Sequence, residues 1–386
     1  MKKTTFWSWL RSSRMSILIL LAAAVIFIFA RAWAKPDPTL SPAAEEYAEY
    51  ETGIVTAILS DSTVSDPVAD GGYRGEQLLL VEVTSGRYKG ETLQVYNYVG
   101  PLYGVPLKEG DGASLIVSTY SGGDHTATVY EYNRIGALAA AVALFLVAAI
   151  LVGGKTGAKS LIGLAVTLAC LFWVLIPGLL KGLPTLPAVF AVCAYIAVVS
   201  LTILGGIRKK TICAMLGTIA GTALAMLFGL LAQSLARIDG LRISDVEPLL
   251  QLRQTGTPIG LRGLLVGGII ISALGAVMDV AMSLASSLSE VKAANPELKA
   301  ADLFRSGMNI GRDMVGTMTN TLILAFLGSG FTLIIYLYSL GLSPYQLLTS
   351  SYLAIEVISG ISSSIGMILA IPITALISAA LLSRKQ

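Results

Sequence analysis

"GAVMDVAMSLASSLSEVK", residues 275–292, places one carboxylate, Asp279, inside a run of small and apolar residues that is otherwise typical of a membrane span. A helix rises about 1.5 Å per residue, so Asp279 lies about 25 Å from Arg262 and about 16 Å from Glu290. These distances predict a position inside the bilayer, on its cytoplasmic side. An ionised carboxylate there costs more than about 2 kcal/mol, so we expect it to face protein or water.

The rest of the chain has the composition of a polytopic membrane protein. Of its 386 residues, 54% are hydrophobic and 13% are charged, whereas about a quarter of the residues in a soluble domain are charged. The formal net charge is +3 and no long Lys/Arg run occurs, which excludes a surface that tracks nucleic acid. All three cysteines lie in apolar segments and are interpreted as small packed hydrophobes without disulfides.

Hydropathy predicts eight membrane spans of about 20 residues each. They lie at approximately 15–33, 135–153, 159–180, 184–206, 211–236, 264–287, 315–338 and 352–382. When the spans alternate in direction, the basic clusters fall on one side, which the positive-inside rule makes the cytoplasm. These clusters are Lys2, Lys3, Arg11 and Arg14, then Lys155 and Lys159, then Arg208, Lys209 and Lys210, and finally Arg384 and Lys385. We therefore expect a multi-pass protein with both termini cytoplasmic.

Three domains follow from this topology: a cytoplasmic N terminus with a transmembrane anchor (1–34), an exterior linker and β domain (35–134), and a seven-helix bundle (135–386). The anchor has an alternative, because Ala32-Trp33-Ala34 matches the small-residue pattern at which secretory signals are cleaved. Lys35-Pro36 would follow that cut, which favours a retained anchor. Both alternatives give the rest of the chain the same orientation.

The exterior region predicts a small all-β barrel of the OB type. After a polar linker, residues 35–50, come five short alternating or β-branched runs separated by Gly- and Asp-rich turns. The runs are GIVTAIL, EQLLLVEVT, ETLQVYNYV, ASLIVSTY and TATVYEY, beginning at residues 53, 76, 91, 113 and 126.

Two kinds of side chain in this barrel are candidates for binding. His125, the single histidine, has no second His or Cys nearby and is interpreted as a solvated turn residue, not a metal ligand. Tyr96, Tyr98 and Tyr103 could stack a base or a sugar. Because no basic groove accompanies them, ordinary barrel packing is the favoured interpretation.

The run GGKTGAKS, residues 153–160, contains Gly154-Lys155-Thr156, which is how a phosphate-binding loop ends. Such a loop needs a further glycine at position 149, but that residue is Ala149 in an apolar span. The run is interpreted as a short basic turn between two spans. Neither a zinc-protease motif nor a serine-histidine arrangement occurs in a span, so the sequence predicts no enzyme, no metal and no other cofactor.

Two polar stripes mark the sixth and seventh spans. Helical spacing puts these residues on one face of the sixth span: Ser272, Gly275, Asp279, Ser283, Ser286 and Glu290. The seventh span carries Asp313, Thr317, Asn320 and Thr321 at similar spacing. Since small residues permit a close helix neighbour, we expect the stripes to face each other. Asp279 would then be opposed by Asn320 and by hydroxyls of Ser283, Thr317 and Thr321.

The segment between these stripes, residues 288–313, alternates charges with apolar side chains such as Val291, Leu303 and Met308. Asn295-Pro296 divides it. The pattern predicts a pair of amphipathic cytoplasmic helices that lie at the membrane surface.

The stretch ALGAVMDVAMSLASSLSEVKAANPELKAADLFRSGMNIGRDMVGTMTNTLILAFLGSG, residues 273–330, closely resembles the YibE/F family of bacterial membrane proteins. That resemblance implies an anchor, a small exterior β domain and a helix bundle in a bacterial cytoplasmic membrane.

A more distant resemblance is to SecD and SecF of the RND superfamily. Gly275 and Asp279 match a span with Gly and then Asp four residues later. Asn320 and Thr321 match the polar positions of the returning span, and Phe326-Leu327-Gly328 match its end. The resemblance implies that Asp279 takes the place of the carboxylate used there in proton or sodium flow.

The leading functional prediction is a proton- or cation-coupled transporter, or a permease component, for an unknown solute. A desolvated carboxylate can bind and release a proton near neutral pH, and Asp279 is the candidate. The alternative is a non-transporting envelope protein whose exterior domain binds a protein or lipid partner while the bundle is an anchor; a homo-oligomer is compatible with either. Asp279 and Asn320 could also simply pair as packing residues.

Three further residues are secondary candidates. Glu356, near the outer end of the last span, is either functional or an interfacial residue that reaches toward water. Arg312 and Asp313 are interpreted first as a juxtamembrane ion pair.

Overall fold

The computed structural model describes residues 4–34, 48–119, 125–238, 246–254 and 256–383. The chain divides into two compact units, one of residues 41–148 and one formed by 1–40 with 149–386. Most of the predicted linker, together with Lys2, Lys3, Arg384 and Lys385, lies outside the described residues.

The first unit is a closed β-barrel. Its strands are β1 Ala48–Asp61, β2 Val64–Ser65, β3 Tyr73–Val83, β4 Thr92–Val99, β5 Gly112–Thr119 and β6 His125–Tyr132. The five long strands close in the order β1-β3-β4-β6-β5-β1, and the short β2 pairs antiparallel with the start of β3. β4 and β6 run parallel while the other neighbours are antiparallel. The barrel predicted from five alternating runs is confirmed.

Alternation along the strands decides which side chains fill the barrel. In β4 the buried residues are Leu93, Val95, Asn97 and Val99, so Tyr96 and Tyr98 between them point outward. The two tyrosine rings stack on the outer surface with centroids 6.2 Å apart. Tyr103 is also exposed.

The favoured interpretation of these three tyrosines as barrel packing is therefore wrong. The two-residue period of the strand already placed Tyr96 and Tyr98 opposite the buried positions. His125 is the first residue of β6, not part of the turn before it.

The second unit is helical, and its first helix packs within it. The helices, including α2 that crosses from the first unit, are α1 Thr4–Ala34, α2 Ile135–Cys170, α3 Ile176–Leu180, α4 Thr185–Gly205, α5 Lys209–Leu235, α6 Val246–Gln254, α7 Leu264–Ala294, α8 Ala300–Ser329, α9 Phe331–Ser339, α10 Pro344–Thr349 and α11 Ser351–Ser383. The Tyr195 hydroxyl of α4 donates to the Ala23 carbonyl of α1 at 2.7 Å.

Among the described residues, six helical runs are long and apolar enough to cross a membrane, and α8 with α9 would make a seventh. The helical membrane part is thus confirmed, while the number eight stays a prediction. One reason is that the second and third predicted spans form one run, Ile135–Leu180. Gly154 interrupts it with φ 53° and ψ −134°, so the predicted basic turn is a glycine kink.

The bundle core forms where α5, α7 and α11 approach closely. Small residues four apart line one face of α5: Gly217, Gly221, Ala225 and Gly229. A Cβ on Gly221 would lie 2.6 Å from Val277 Cγ1 and 2.7 Å from Ala370 Cβ. Glycine thus lets the helix backbones meet at a distance that a methyl group would prevent.

The predicted break in residues 288–313 is confirmed, but the prediction that its two halves are amphipathic helices at the membrane surface is wrong. α7 continues to Ala294 and α8 starts at Ala300, so each half extends a long helix. Leu288 and Leu303 are fully buried in the core cluster that also contains Ala375 of α11. The apolar positions therefore pack on another helix, which replaces the membrane surface as their partner.

Candidate functional site

Asp279 lies on α7, a helix with two contrasting faces. The face toward α5 and α11 includes Val277, Val280 and Leu284, each fully buried. The other face exposes these residues: Gly275, Asp279, Ser283 and Glu290. The apolar repeat drives the first face into the core, and four members of the polar stripe predicted from the sequence occupy the second.

The surroundings of Asp279 are open. It lies 15 residues after Leu264, where α7 begins, so about 22 Å along the helix. A Cβ added to the neighbouring Gly275 would meet no atom within 4 Å, and the same holds for Gly268. No described residue forms a hydrogen bond or an ion pair with Asp279. From the same stripe, Ser272 does reach α11, where its hydroxyl lies 3.0 Å from Ser363 Oγ.

The polar stripe of α8 is exposed as well. Thr317, Asn320 and Thr321 all lie on its open surface. The Thr317 hydroxyl donates to the Met314 carbonyl at 3.2 Å and the Thr321 hydroxyl to the Thr317 carbonyl at 2.9 Å. Both hydroxyls are thus bonded within their own helix.

The packing of α8 explains why the two stripes do not bond to each other. α8 packs on α11 through two glycines: a Cβ on Gly307 would lie 3.0 Å from Ala375 Cβ, and one on Gly311 would collide with Ile371. In the described residues no hydrogen bond joins Asp279 to Asn320. The interpretation of these two as a hydrogen-bonded packing pair does not match the structure, and the functional role of each stays a prediction.

Arg312 and Asp313 are both exposed and form no ion pair; in the described part of the chain the one ion pair joins Arg134 to Glu131. Adjacent residues on a helix point in different directions and do not face each other. The ion-pair interpretation is therefore wrong.

Sequence reasoning missed a set of buried hydroxyls in the bundle. Thr211 and Thr374 are fully buried and Ser364 nearly so, and among the described residues none of these three hydroxyls has a hydrogen-bond partner. Thr374 packs against Gly217, which leaves room for it. Small residues four apart on α5 were the available sequence signal for this contact.

Chemically, Asp279 offers one anionic carboxylate, to which no described residue donates a hydrogen bond. Such a group can take a proton or contact a hydrated cation. Among the described residues, no group of three His, Cys, Asp or Glu side chains could hold a metal ion.

A family model described as YibE/F-like protein matches residues 141–384. That region includes Asp279 and Asn320 and excludes the barrel. No curated protein and no solved structure matches the chain.

Proposed function

The chain belongs to the YibE/F family, and from this premise we propose that it is a proton- or cation-coupled transporter, or a permease component, of a bacterial cytoplasmic membrane. The observation that carries the proposal is Asp279. It is a carboxylate midway along an apolar helix, exposed and without a bonding partner among the described residues.

Lipid cannot solvate such a group, since an ionised side chain in hydrocarbon is unstable unless water or protein covers it. Thr317, Asn320 and Thr321 add polar oxygen atoms on the open side of the next long helix. Water, or a second copy of the chain, would cover both polar faces and give a proton or a sodium ion a route past Asp279.

Flux in reconstituted vesicles tests this proposal. Purified protein in sealed liposomes should pass protons, followed by an internal pH dye, or radioactive sodium. Asp279→Asn removes the titratable group at constant size and should abolish the flux. Asn320→Ala should weaken it less, because it removes a polar neighbour and keeps the charge.

Asp302→Asn is the matched control, since this exposed carboxylate lies in the first turn of α8, away from the apolar segment. Its flux should equal that of the unmodified chain. Full flux in a correctly folded Asp279→Asn protein would reject the coupling role.

Both termini are proposed to be cytoplasmic on the strength of the basic clusters. A reporter fused after residue 210 should read cytoplasmic, and one after residue 250 exterior. The opposite pattern would invert the orientation.

A second candidate is a non-transporting envelope protein that binds a protein or lipid partner through its barrel. The outward position of Tyr96, Tyr98 and Tyr103 favours it. This candidate predicts no flux from the unmodified chain under any cation gradient.

A further inference from the structure

A second carboxylate lies beside a break in a helix. α8 and α9 are bent by 60° about Gly330. Glu356 of α11 is half-buried, and its Cγ lies 3.4 Å from the place of a Cβ on Gly330. No described residue bonds to its carboxylate. In membrane transporters, interrupted helices often form the walls of ligand sites.

The bend leaves a cavity of about 230 Å³ next to Glu356. Its apolar walls come from three helices: Ile323, Phe326 and Leu327 of α8, Ile334 of α9, and Leu353 and Val357 of α11. Gly360 of α11 also lines the cavity, and its lack of a side chain leaves space beside Phe326. Glu356 is the one charged residue among the described residues that line this cavity.

We infer that this cavity binds a small lipophilic organic cation, with its apolar body against α8 and α11 and its positive group at Glu356. A carboxylate without a protein partner in apolar surroundings favours a cation and disfavours anions. The volume suits a ligand the size of one aromatic ring with a quaternary ammonium group. Binding of the cation does not depend on the proposed function. That the bound cation is also a transported solute rests on the proposed function.

Equilibrium binding of radiolabelled benzyltrimethylammonium to the full chain in lipid nanodiscs tests the inference. We expect saturable binding above that of empty nanodiscs. Glu356→Gln should weaken it about tenfold, the loss of one desolvated charge pair, and Gly360→Leu should abolish it by filling the cavity. Neopentylbenzene, a neutral molecule of the same shape, should displace the cation poorly.

Glu297→Gln, an exposed carboxylate in the turn after α7, should bind the cation like the unmodified chain. Equal binding by Glu356→Gln, absence of saturable binding, or full displacement by neopentylbenzene would each overturn the inference. Saturable binding by a chain that moves neither protons nor sodium would reject the proposed transport and leave this site in place.

An independent observation concerns the barrel end from which α2 leaves. β6 ends at Tyr132 and α2 begins at Ile135, so the two connecting residues span at most about 10 Å. β4 runs parallel to β6, with Tyr96 beside Thr128, and β3 is antiparallel to β4. The connections before β3 and after β4 therefore lie at this same end.

Large apolar side chains project from those two connections. Leu102 is 96% exposed, Val68 92% and Tyr103 62%. Both ends of the barrel expose charged residues, such as Lys89 and Lys108, but the turn between β3 and β4, at the opposite end, exposes no large apolar side chain among the described residues. A cluster of exposed apolar side chains marks an interaction site.

We also propose that this barrel end inserts its apolar residues into the headgroup region of the bilayer. α2 is an apolar helix long enough to span a membrane, and the two-residue connection holds the barrel end at the bilayer surface. Tyrosine with aliphatic neighbours is the composition favoured at a membrane interface. The occupant of this surface is therefore phospholipid.

Fluorescent labels on single introduced cysteines test this docking in the full chain in nanodiscs. The native cysteines Cys170, Cys193 and Cys213 are buried, and unmodified protein gives the labelling background. A label on Leu102→Cys should be quenched by nitroxide-bearing lipids. A label on Lys89→Cys should be quenched by aqueous iodide. Iodide quenching at position 102 equal to that at position 89, or protection at position 102 from both quenchers, would overturn the proposal.

Discussion

In the described part of the barrel, every buried Asn, Gln, Asp and Glu side chain has a hydrogen-bond partner. Asn97 Nδ2 donates to Gln77 Oε1 at 2.9 Å, and the Leu107 amide donates to the same oxygen at 2.8 Å. Gln77 Nε2 donates in turn to Asp61 Oδ2 at 2.8 Å. Glu51 accepts from Ser85 Oγ at 2.7 Å.

The helix bundle differs. Among its described residues, the buried hydroxyls of Thr211, Thr374 and Ser364 have no partner, and Asp279 is open and unbonded. An unpaired buried polar group costs about 1–3 kcal/mol. The difference teaches that hydrogen bonds between side chains hold the barrel together. In the bundle, buried hydroxyls such as that of Thr374 are held by helix packing alone, while the exposed Asp279 is free to contact water, an ion or another chain.

The largest expected effect is in the barrel. Gln77→Ala leaves the Leu107 N–H and one of the two Asn97 amide hydrogens without an acceptor, so it should destabilise the barrel by about 3 kcal/mol. Urea unfolding of purified residues 41–134, followed by circular dichroism, measures this value. The same experiment checks that the barrel folds alone with a β-rich spectrum.

Gln94→Ala is the matched control, because Gln94 points outward from the same sheet. Its effect should stay within about 0.5 kcal/mol. Equal effects of the two substitutions would show that the hydrogen bonds of Gln77 do not stabilise the barrel. A helical or unfolded spectrum would reject independent folding.

A smaller loss is expected where the bundle helices meet. Gly221→Ala places a methyl group 2.6 Å from Val277 Cγ1, which should cost about 2 kcal/mol by overpacking. Gly275→Ala, on the open face of α7, meets no atom within 4 Å and should be neutral. Thermal denaturation of the two purified variants in one detergent gives the comparison. Equal melting temperatures would mean that the close contact of α5, α7 and α11 does not stabilise the bundle.

The barrel could be predicted from the sequence because its signals are local. A two-residue period and Gly-rich turns define five strands whatever their neighbours are. The same period also places Tyr96 and Tyr98 on the outer face of the barrel, between the buried positions of β4.

The bundle was less predictable because hydropathy identifies apolar helices but does not predict which helices pack against each other. Four members of the predicted stripe, Asp279 among them, lie on the exposed face of α7, whereas Ser272 bonds to α11. The sequence could not tell that α8 would pack on α11 through Gly307 and Gly311, since small residues permit close contact with any neighbour. For the same reason, Leu303 was assigned to a surface helix while it packs in the core.

A still smaller effect should distinguish unpaired from paired hydroxyls within the bundle. Thr374→Val removes a buried hydroxyl without a partner among the described residues, so stability should stay equal or rise by up to about 1 kcal/mol. Thr218→Val removes a buried hydroxyl that donates to the Ala214 carbonyl at 2.8 Å and should lower it by about 0.5–1.5 kcal/mol. Thermal denaturation in detergent measures both. A clear loss with Thr374→Val would show that the bundle pairs its hydroxyls after all, for instance through bound water.

The smallest expected effect concerns Asp61, the surface carboxylate that accepts a hydrogen bond from Gln77. Asp61 accepts hydrogen bonds from the Thr63 hydroxyl at 2.7 Å, the Thr63 amide at 2.8 Å and Gln77 Nε2. These bonds, led by the Thr63 hydroxyl, hold the pKa of Asp61 below its ordinary value. The ionised form is therefore favoured in the folded barrel.

Because the folded-state pKa is the lower one, Asp61 contributes stability above the unfolded-state value of about 4 and loses it as the pH falls through the folded-state pKa. Urea unfolding of the barrel at pH 6 and at pH 3 should show a smaller loss on acidification for Asp61→Asn than for the unmodified barrel. Asp70→Asn, whose side chain has no hydrogen bond among the described residues, is the control and should keep the full loss. If Asp61→Asn kept it too, the carboxylate of the barrel would be as independent of its neighbours as Asp279 is in the bundle, and the contrast between the two units would rest on neutral groups alone.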